Sequence, residues 1–103
     1  MKRVTVLLAL IALSACAANS PPVALPPSEQ IDKGCVLAAS DNLRRLIGLS
    51  AADGRALPAP NGQPAQRVVE VDATNAGMKV TYVFACVFDP GMMQAFTSPM
   101  GRK

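Results

Sequence analysis

The sequence predicts a small α+β domain in which one amphipathic helix packs on a two- or three-stranded antiparallel sheet, braced by one disulfide. Apolar residues recur at intervals of three and four from Glu29 to Ile47, whereas after Arg67 the side chains alternate between two faces. Each of these segments also contains one cysteine, Cys35 in the first and Cys86 in the second. A helical period followed by strand periods along one chain is typical of an α+β fold.

The composition restricts the chemistry that the chain can perform. Its 103 residues allow one compact domain, and they include ten Lys or Arg, seven Asp or Glu and no His. The net charge of +3 falls to +1 if Lys2 and Arg3 are removed with the N-terminal segment, so we expect no nucleic acid as a partner. Without His, and with scattered carboxylates, the sequence predicts no enzyme, no metal site and no cofactor.

Residues 1–15 have the organisation of an export signal peptide. Lys2 and Arg3 precede an apolar run from Val4 to Leu13, and small residues follow it. The run is shorter than the roughly 20 residues that a membrane-spanning helix needs. We therefore expect this segment to direct export and then to be removed.

The four residues from Leu13 to Cys16 read Leu-Ser-Ala-Cys. They resemble the lipobox of bacterial lipoproteins, which is a leucine, two small residues and a cysteine. The resemblance implies that the Cys16 thiol takes a diacylglyceryl group, that signal peptidase II cuts before it, and that the freed amine is acylated. It also implies anchoring in the bacterial cell envelope, and Ala17 in place of Asp favours the outer membrane, with the domain facing the periplasm. The alternative is ordinary cleavage after Ala17 or Ala18, without a lipid.

Residues 16–28 form the expected tether between this anchor and the domain. They contain four prolines and no charged side chain. Because proline fixes φ and lacks a donor, we expect an extended, semi-rigid spacer that reaches about 35 Å. The alternative is a proline-rich ligand for a partner's groove.

The predicted helix runs from Glu29 to Ile47. Ser28 is suited to the N-cap, and Glu29 lies near the positive end of the helix dipole. Arg44 and Arg45 lie in the last turn, and Gly48 follows as a stop. The predicted apolar face consists of Ile31, Cys35, Ala38, Ala39, Leu43, Leu46 and Ile47.

The segment from Gly48 to Gln66 shows no periodicity and is punctuated by Gly and Pro. Loops of this length are uncommon in compact domains and are often functional. We therefore expect a long loop that serves as a contact surface. Its candidate binding residues are Arg55, Asn61 and Gln63.

Two strands are predicted after the loop, from Arg67 to Thr74 and from Met78 to Asp89. A three-residue turn with a left-handed Gly77 joins them. The more aromatic face of the second strand carries Cys86 and is expected to receive the helix. Glu70 and Asp72 fall on the opposite face, where a solubilising role is favoured over general acid and base catalysis.

The chain after Asp89 is harder to assign. Residues 92–98 are suited to a short third strand, and the domain is expected to end there. Met92 and Met93 are candidate binding residues because methionine adapts to varied surfaces, although it fills core gaps as often. Residues 99–103 are expected to fray.

The two remaining cysteines provide a test of the predicted packing of the helix on the second strand. Cys35 and Cys86 lie on the apolar faces of the helix and of the second strand, 51 residues apart. An exported protein reaches a compartment that permits disulfides, so we expect the two to be bonded. The alternative is two free buried thiols, since a metal would need further ligands.

Cys35 is followed eleven residues later by Leu46-Ile47-Gly48. This pattern resembles the start of a small periplasmic peptidase-inhibitor family, built from a helix and antiparallel strands with a disulfide, some of whose members are lipoproteins. The resemblance covers about 14 residues, and the family's later Arg-Pro-Gly and Arg-Leu-Asn motifs do not occur in this chain.

The predicted function is therefore that of a lipid-anchored, non-catalytic binding or inhibitor module with a protein partner in the envelope. Two alternatives stay open. The first is an accessory subunit of an envelope or secretion assembly, and the second is a structural envelope lipoprotein.

Overall fold

The computed structural model describes residues 23–103, so the signal peptide, Cys16 and the first part of the tether lie outside the described residues. The elements in chain order are α1 (Ser28–Ile47), β1 (Asp53–Pro58), β2 (Gln66–Asn75), β3 (Met78–Asp89) and β4 (Gln94–Arg102). The four strands form one antiparallel sheet in the order β1-β2-β3-β4, and α1 packs on one of its faces. The predicted α+β class is confirmed, with four strands rather than two or three.

Helix α1 begins one residue earlier than predicted. Pro27 occupies the N-cap position and makes no side-chain hydrogen bond there, so Ser28 is the first helical residue and not the cap. The Ser28 hydroxyl instead accepts a hydrogen bond from the Arg67 guanidinium (3.0 Å). At the other end Gly48 has φ +72° and donates its N–H to the Arg44 carbonyl (2.9 Å), which is the predicted stop.

The hydrophobic core lies between α1 and the sheet. As predicted, the face of β3 that carries Cys86 receives the helix. The buried face of the helix is one turn shorter than predicted, because it ends at Leu43 and because Leu46 and Ile47 in the last turn are 57% and 51% exposed. The core residues are Ile31, Cys35, Ala39, Leu43, Val69, Val71, Ala73, Phe84, Cys86 and Phe88.

The predicted disulfide is present and lies at the centre of this core. Cys35 and Cys86 are bonded, with their Cα atoms 5.9 Å apart. Both residues are almost fully buried. The bond therefore fixes the middle of α1 over β3.

The expectation of an irregular loop from residue 48 to 66 is wrong in its centre, where β1 forms. This strand pairs with β2 from Asp53 opposite Asp72 to Pro58 opposite Arg67. Its side facing the helix carries Gly54, Ala56 and Pro58, so no alternation of large apolar residues marks it in the sequence. A Cβ at Gly54 would lie 2.8 Å from Cγ1 of Val36, so glycine allows the edge strand to approach α1 closely.

Strands β2 and β3 pair without interruption from Gln66 opposite Val87 to Asn75 opposite Met78. The turn between them therefore has two residues, one fewer than predicted. Ala76 and Gly77 have φ of 53° and 80°, as the tight hairpin turns that match strand twist require. The left-handed Gly77 is as predicted.

Strand β4 begins two residues later than the predicted third strand of residues 92–98, and it extends beyond the predicted end to Arg102. Residues 99–103, which were expected to fray, continue the sheet: Arg102 lies opposite Tyr82, and the N–H of Lys103 donates to the Thr81 carbonyl (2.8 Å). Pro99 is compatible with this because β4 is an edge strand, whose outer side needs no donor.

Candidate functional site

A cleft lies between the last turn of α1 and the β3–β4 pair. It has a volume of about 240 Å³, and its walls are made almost entirely of apolar side chains. One charged residue lies among those that line it. The lining residues are Leu43, Leu46, Ile47, Tyr82, Phe84, Pro99, Gly101 and Arg102.

The cleft lies where β4 departs from regular pairing. Val83 lies opposite Gly101 and Phe84 opposite Pro99, so Met100 is an extra residue on β4. A bulge of this kind bends the strand that contains it and strengthens its twist. Gly101 has φ +135°, which favours glycine at this position. The irregular pairing thus coincides with the part of the sheet that lies beside the end of α1.

Two apolar side chains of α1 remain exposed beside the cleft. Leu46 and Ile47 belong to the last turn before Gly48, and about half of each is accessible. They are neighbours in sequence and lie about 100° apart around the helix, so they present a broad apolar surface. Exposed apolar surface next to a concave site is typical of places where another molecule binds.

The charged residue of the cleft is Arg102, which lies opposite Tyr82 in the sheet. Within residues 23–103 it forms no ion pair, whereas Arg44 and Arg45 both pair with Asp41 (3.0 and 3.1 Å). A guanidinium presents several donors in a geometry that matches a carboxylate. The arrangement can therefore hold an apolar side chain with an acidic group beside it.

A cluster of charged and polar side chains lies on the open face of the sheet, which is the face opposite α1. Arg55 of β1 donates to Glu70 (2.8 Å) and to Asp72 (3.1 Å). Lys103 donates to the other oxygen of Glu70 (2.7 Å), and the Thr81 hydroxyl donates to Asp72 (2.7 Å). We call these five residues the charge network.

The charge network keeps both carboxyl groups ionised. Hydrogen bonds from Arg55 and then from Thr81 lower the pKa of Asp72 to about 2. The pKa of Glu70 is also lowered, chiefly by the hydrogen bond from Lys103 and then by that from Arg55. Asp72 and, to a lesser extent, Glu70 raise the pKa of Arg55 in return. A general acid or base works best with a pKa near the working pH, which this environment opposes for both carboxyl groups.

The expected solvent exposure of Glu70 and Asp72 is wrong, although their face of the strand is as predicted. They are 7% and 4% exposed. Arg55 and Lys103 cover them from β1 and from the end of the chain. Both covering residues lie in segments that the sequence reading assigned to a loop and to a frayed tail.

The candidate binding residues of the predicted loop are separated. Arg55 belongs to the charge network, whereas Asn61 and Gln63 lie in the connection between β1 and β2. The Asn61 amide donates to the Gln66 side chain (2.8 Å), and its carbonyl oxygen accepts the N–H of Gln63 (3.1 Å). These bonds shape the connection itself.

Met92 and Met93 lie in the turn between β3 and β4 and are 60% and 52% exposed. Met93 has φ +51°, in the left-handed region. The five candidate binding residues thus occupy three places in the fold, and none of them lines the cleft.

Sequence reasoning missed the cleft as a site. The predicted apolar face of the helix includes Leu46 and Ile47, and the predicted frayed tail includes Arg102. Leu46 and Ile47 follow the buried Leu43 by three and four residues, so the helical period alone places them on the core face and does not reveal their exposure. The bulge that accompanies the cleft has no mark in the sequence either.

Within residues 23–103, no group of three or more His, Cys, Asp or Glu side chains is placed to hold a metal ion. No helix in the same part of the chain is long and apolar enough to cross a membrane. No protein-family model, curated protein or solved structure matches the chain.

Proposed function

We propose that the chain is a lipid-anchored, non-catalytic binding module of the bacterial cell envelope, whose cleft holds an apolar side chain of a protein partner. The observation that most directly supports this proposal is the apolar cleft, which has exposed Leu46 and Ile47 on one side and Arg102 among its lining residues. The guanidinium complements an acidic group, so the partner's segment carries a carboxylate beside the apolar side chain.

Three observations support the location in the envelope. The residues from Leu13 to Cys16 match a lipobox, and an uncharged, proline-rich segment follows them. The Cys35–Cys86 disulfide suits an oxidising compartment such as the periplasm. Ala17 favours the outer membrane by the same resemblance. We place the anchor at Cys16 and the domain on the periplasmic side.

The charge network supports a role without catalysis. Its carboxyl groups have pKa values below their ordinary range because they accept hydrogen bonds from Arg55, Thr81 and Lys103. Their partners hold the sheet together, so the network acts as a structural clamp between strands. Binding at the cleft needs no proton transfer.

Site-specific photo-crosslinking in intact cells tests the proposal. A photoreactive amino acid at Ile47 should trap one envelope protein, and Arg102→Ala should weaken that product. The matched control is the same amino acid at Leu37, which is 71% exposed on the same helix but lies outside the cleft. Equal labelling from both positions, or no protein product from position 47, contradicts the proposed use of the cleft.

The identity of the trapped protein separates the remaining functions. A peptidase would make the chain an inhibitor, in keeping with the resemblance at Leu46-Ile47-Gly48. A component of a larger envelope complex would make it an accessory subunit, for which the exposed edge strand β4 offers an additional pairing surface. Crosslinks to the cell wall alone would favour a structural lipoprotein.

A further inference from the structure

The chain enters the domain at the end of the sheet where the β1–β2 and β3–β4 connections lie. Arg67, at the start of β2, contacts the Ser28 hydroxyl (3.0 Å), Asp32 (2.7 Å) and the Pro64 carbonyl (2.8 Å). These contacts place the first turn of α1 beside the β1–β2 connection. The β3–β4 turn lies at the same end, because Phe88, one residue before the end of β3, donates its N–H to Ala65 in that connection (2.8 Å).

This end of the domain carries a group of exposed apolar side chains. Val87 and Phe96 lie opposite each other on the open face of the sheet and are 48% and 50% exposed. Leu57 lies two strands away on the same face. Met92 and Met93 project from the turn that follows β3. We call these five residues the tether-end patch.

The tether-end patch is accessible, because α1 packs on the other face of the sheet and each of the five side chains is at least 39% exposed. Two charged side chains at this end of the sheet are engaged within the domain. Arg67 pairs with Asp32, and the Asp89 carboxylate accepts the N–H groups of Gly91 (2.9 Å) and Met92 (3.3 Å). The patch is therefore an apolar surface at the end of the domain that is nearest in sequence to the proposed anchor.

We propose that the tether-end patch rests on the lipid surface in which Cys16 is anchored, with Met92 and Met93 among the headgroups. The proposal rests on the lipid anchoring stated above. Ser28 follows Cys16 by twelve positions, so a tether with polyproline geometry is about 37 Å long. Because the tether confines the domain to this distance from the lipid, it raises the effective concentration of the patch at the membrane surface and so favours even weak contact.

The position of the tether favours lipid over a protein as the occupant of the patch. The end of the domain that the tether joins is the end that meets the membrane first. Methionine is unbranched and adapts to an irregular environment, which suits a headgroup region. Tyr82 in the cleft lies five residues from Val87 along β3, about 17 Å further from the patch, so the cleft stays open to the periplasm.

Lipid quenching of site-specific probes tests this orientation in the complete, lipidated protein. An environment-sensitive fluorophore is attached to Met92→Cys, and the matched control carries it on Met78→Cys. Both methionines are exposed, and residue 78 lies at the opposite end of β3, about 36 Å away. The vesicles contain phosphatidylethanolamine, phosphatidylglycerol and a lipid with a headgroup-level quencher.

We expect the quencher to act several times more strongly on the probe at residue 92 than on the probe at residue 78. Met93→Asp should reduce the quenching at residue 92, whereas Leu37→Asp should leave it unchanged. Protein that floats with the vesicles while both probes are quenched equally overturns the orientation and leaves the anchor intact.

Protein that fails to float contradicts the anchor at Cys16, and the proposed orientation falls with it. The lipid contact is also overturned if the lipid does not quench the probe at residue 92 and an envelope protein in cell extracts changes its fluorescence instead. That result favours a protein partner.

Discussion

The carboxylate of Asp72 and the guanidinium of Arg55 meet on the open face of the sheet, with Oδ2 of the first 3.1 Å from Nη1 of the second. Arg55 belongs to the edge strand β1 and Asp72 to the interior strand β2. The Thr81 hydroxyl, from β3, donates to the same carboxylate (2.7 Å). One buried carboxylate therefore links three strands of the sheet.

Asp72→Asn should lower the stability of the domain at neutral pH, because the ion pair with Arg55 is lost. The pKa of Asp72 in the folded protein is about 2, below its ordinary value of 3.8. Its contribution to stability is therefore present above pH 3.8 and is lost as the pH falls towards 2. Urea midpoints of the wild type and Asp72→Asn should converge over this interval.

Asp53→Asn provides the control for the pH experiment. Asp53 lies opposite Asp72 in the sheet but is exposed, and its carboxylate accepts the adjacent N–H of Gly54 (2.9 Å). The urea midpoint of Asp53→Asn should differ little from that of the wild type, and this difference should change little with pH. An Asp72→Asn difference that persists unchanged at pH 2 would show that the ion pair is not its cause.

Gly54→Ala should destabilise the contact between β1 and α1. The added Cβ would lie 2.8 Å from Cγ1 of Val36, and overpacking of this kind typically costs about 1–3 kcal/mol. Val36→Ala removes the clashing methyl group, so the double variant should recover part of the loss. Urea unfolding of the two single variants and the double variant measures this coupling.

Gly34→Ala is the matched control for the overpacking. Gly34 lies within α1, and an added Cβ would lie at ordinary contact distance, 3.5 Å, from the Phe88 ring. Alanine is favoured over glycine in a helix by about 1 kcal/mol, so this variant should be at least as stable as the wild type. Equal losses from Gly34→Ala and Gly54→Ala would contradict the proposed cause.

The helix and the β2–β3 hairpin could be predicted because each has a periodic pattern of its own. The apolar positions of α1 recur every four residues at its buried face, and Gly77 marks the turn. Strand β1 could not be found in this way. Its position facing Val36 must be glycine, so close packing against the helix removes the apolar residue that would have revealed the strand.

The candidate sites were less predictable because they depend on contacts between distant segments. Glu70 is covered by Arg55, 15 residues before it, and by Lys103, 33 residues after it. Neither contact follows from local propensity. The cleft coincides with the bulge at Met100, which appears only when β4 is aligned with β3.

Cys16→Ser should abolish lipid attachment, because serine lacks the thiol that the lipobox resemblance assigns to the diacylglyceryl group. We expect an uncleaved or mislocalised precursor, measured by membrane fractionation and by the mass of the mature protein. Ser14→Ala keeps a small residue at its position and is the matched control, which should be processed normally. Normal processing and membrane retention of Cys16→Ser would disprove the anchor.

Replacing Cys35 and Cys86 together by alanine should leave the domain largely unfolded. A disulfide that closes a loop of 51 residues stabilises a fold by about 4 kcal/mol in the chain-entropy model. A domain of this size has a total stability of only about 3–5 kcal/mol from its core. Circular dichroism in urea should therefore show little cooperative unfolding for the double variant, and reduced wild type should behave like it.

Mass spectrometry after alkylation tests the bond directly in the denatured protein. Cys35 and Cys86 should be alkylated only after reduction. Two reactive thiols without reductant, or an unchanged urea midpoint in the double variant, would contradict the dependence of the fold on this bond.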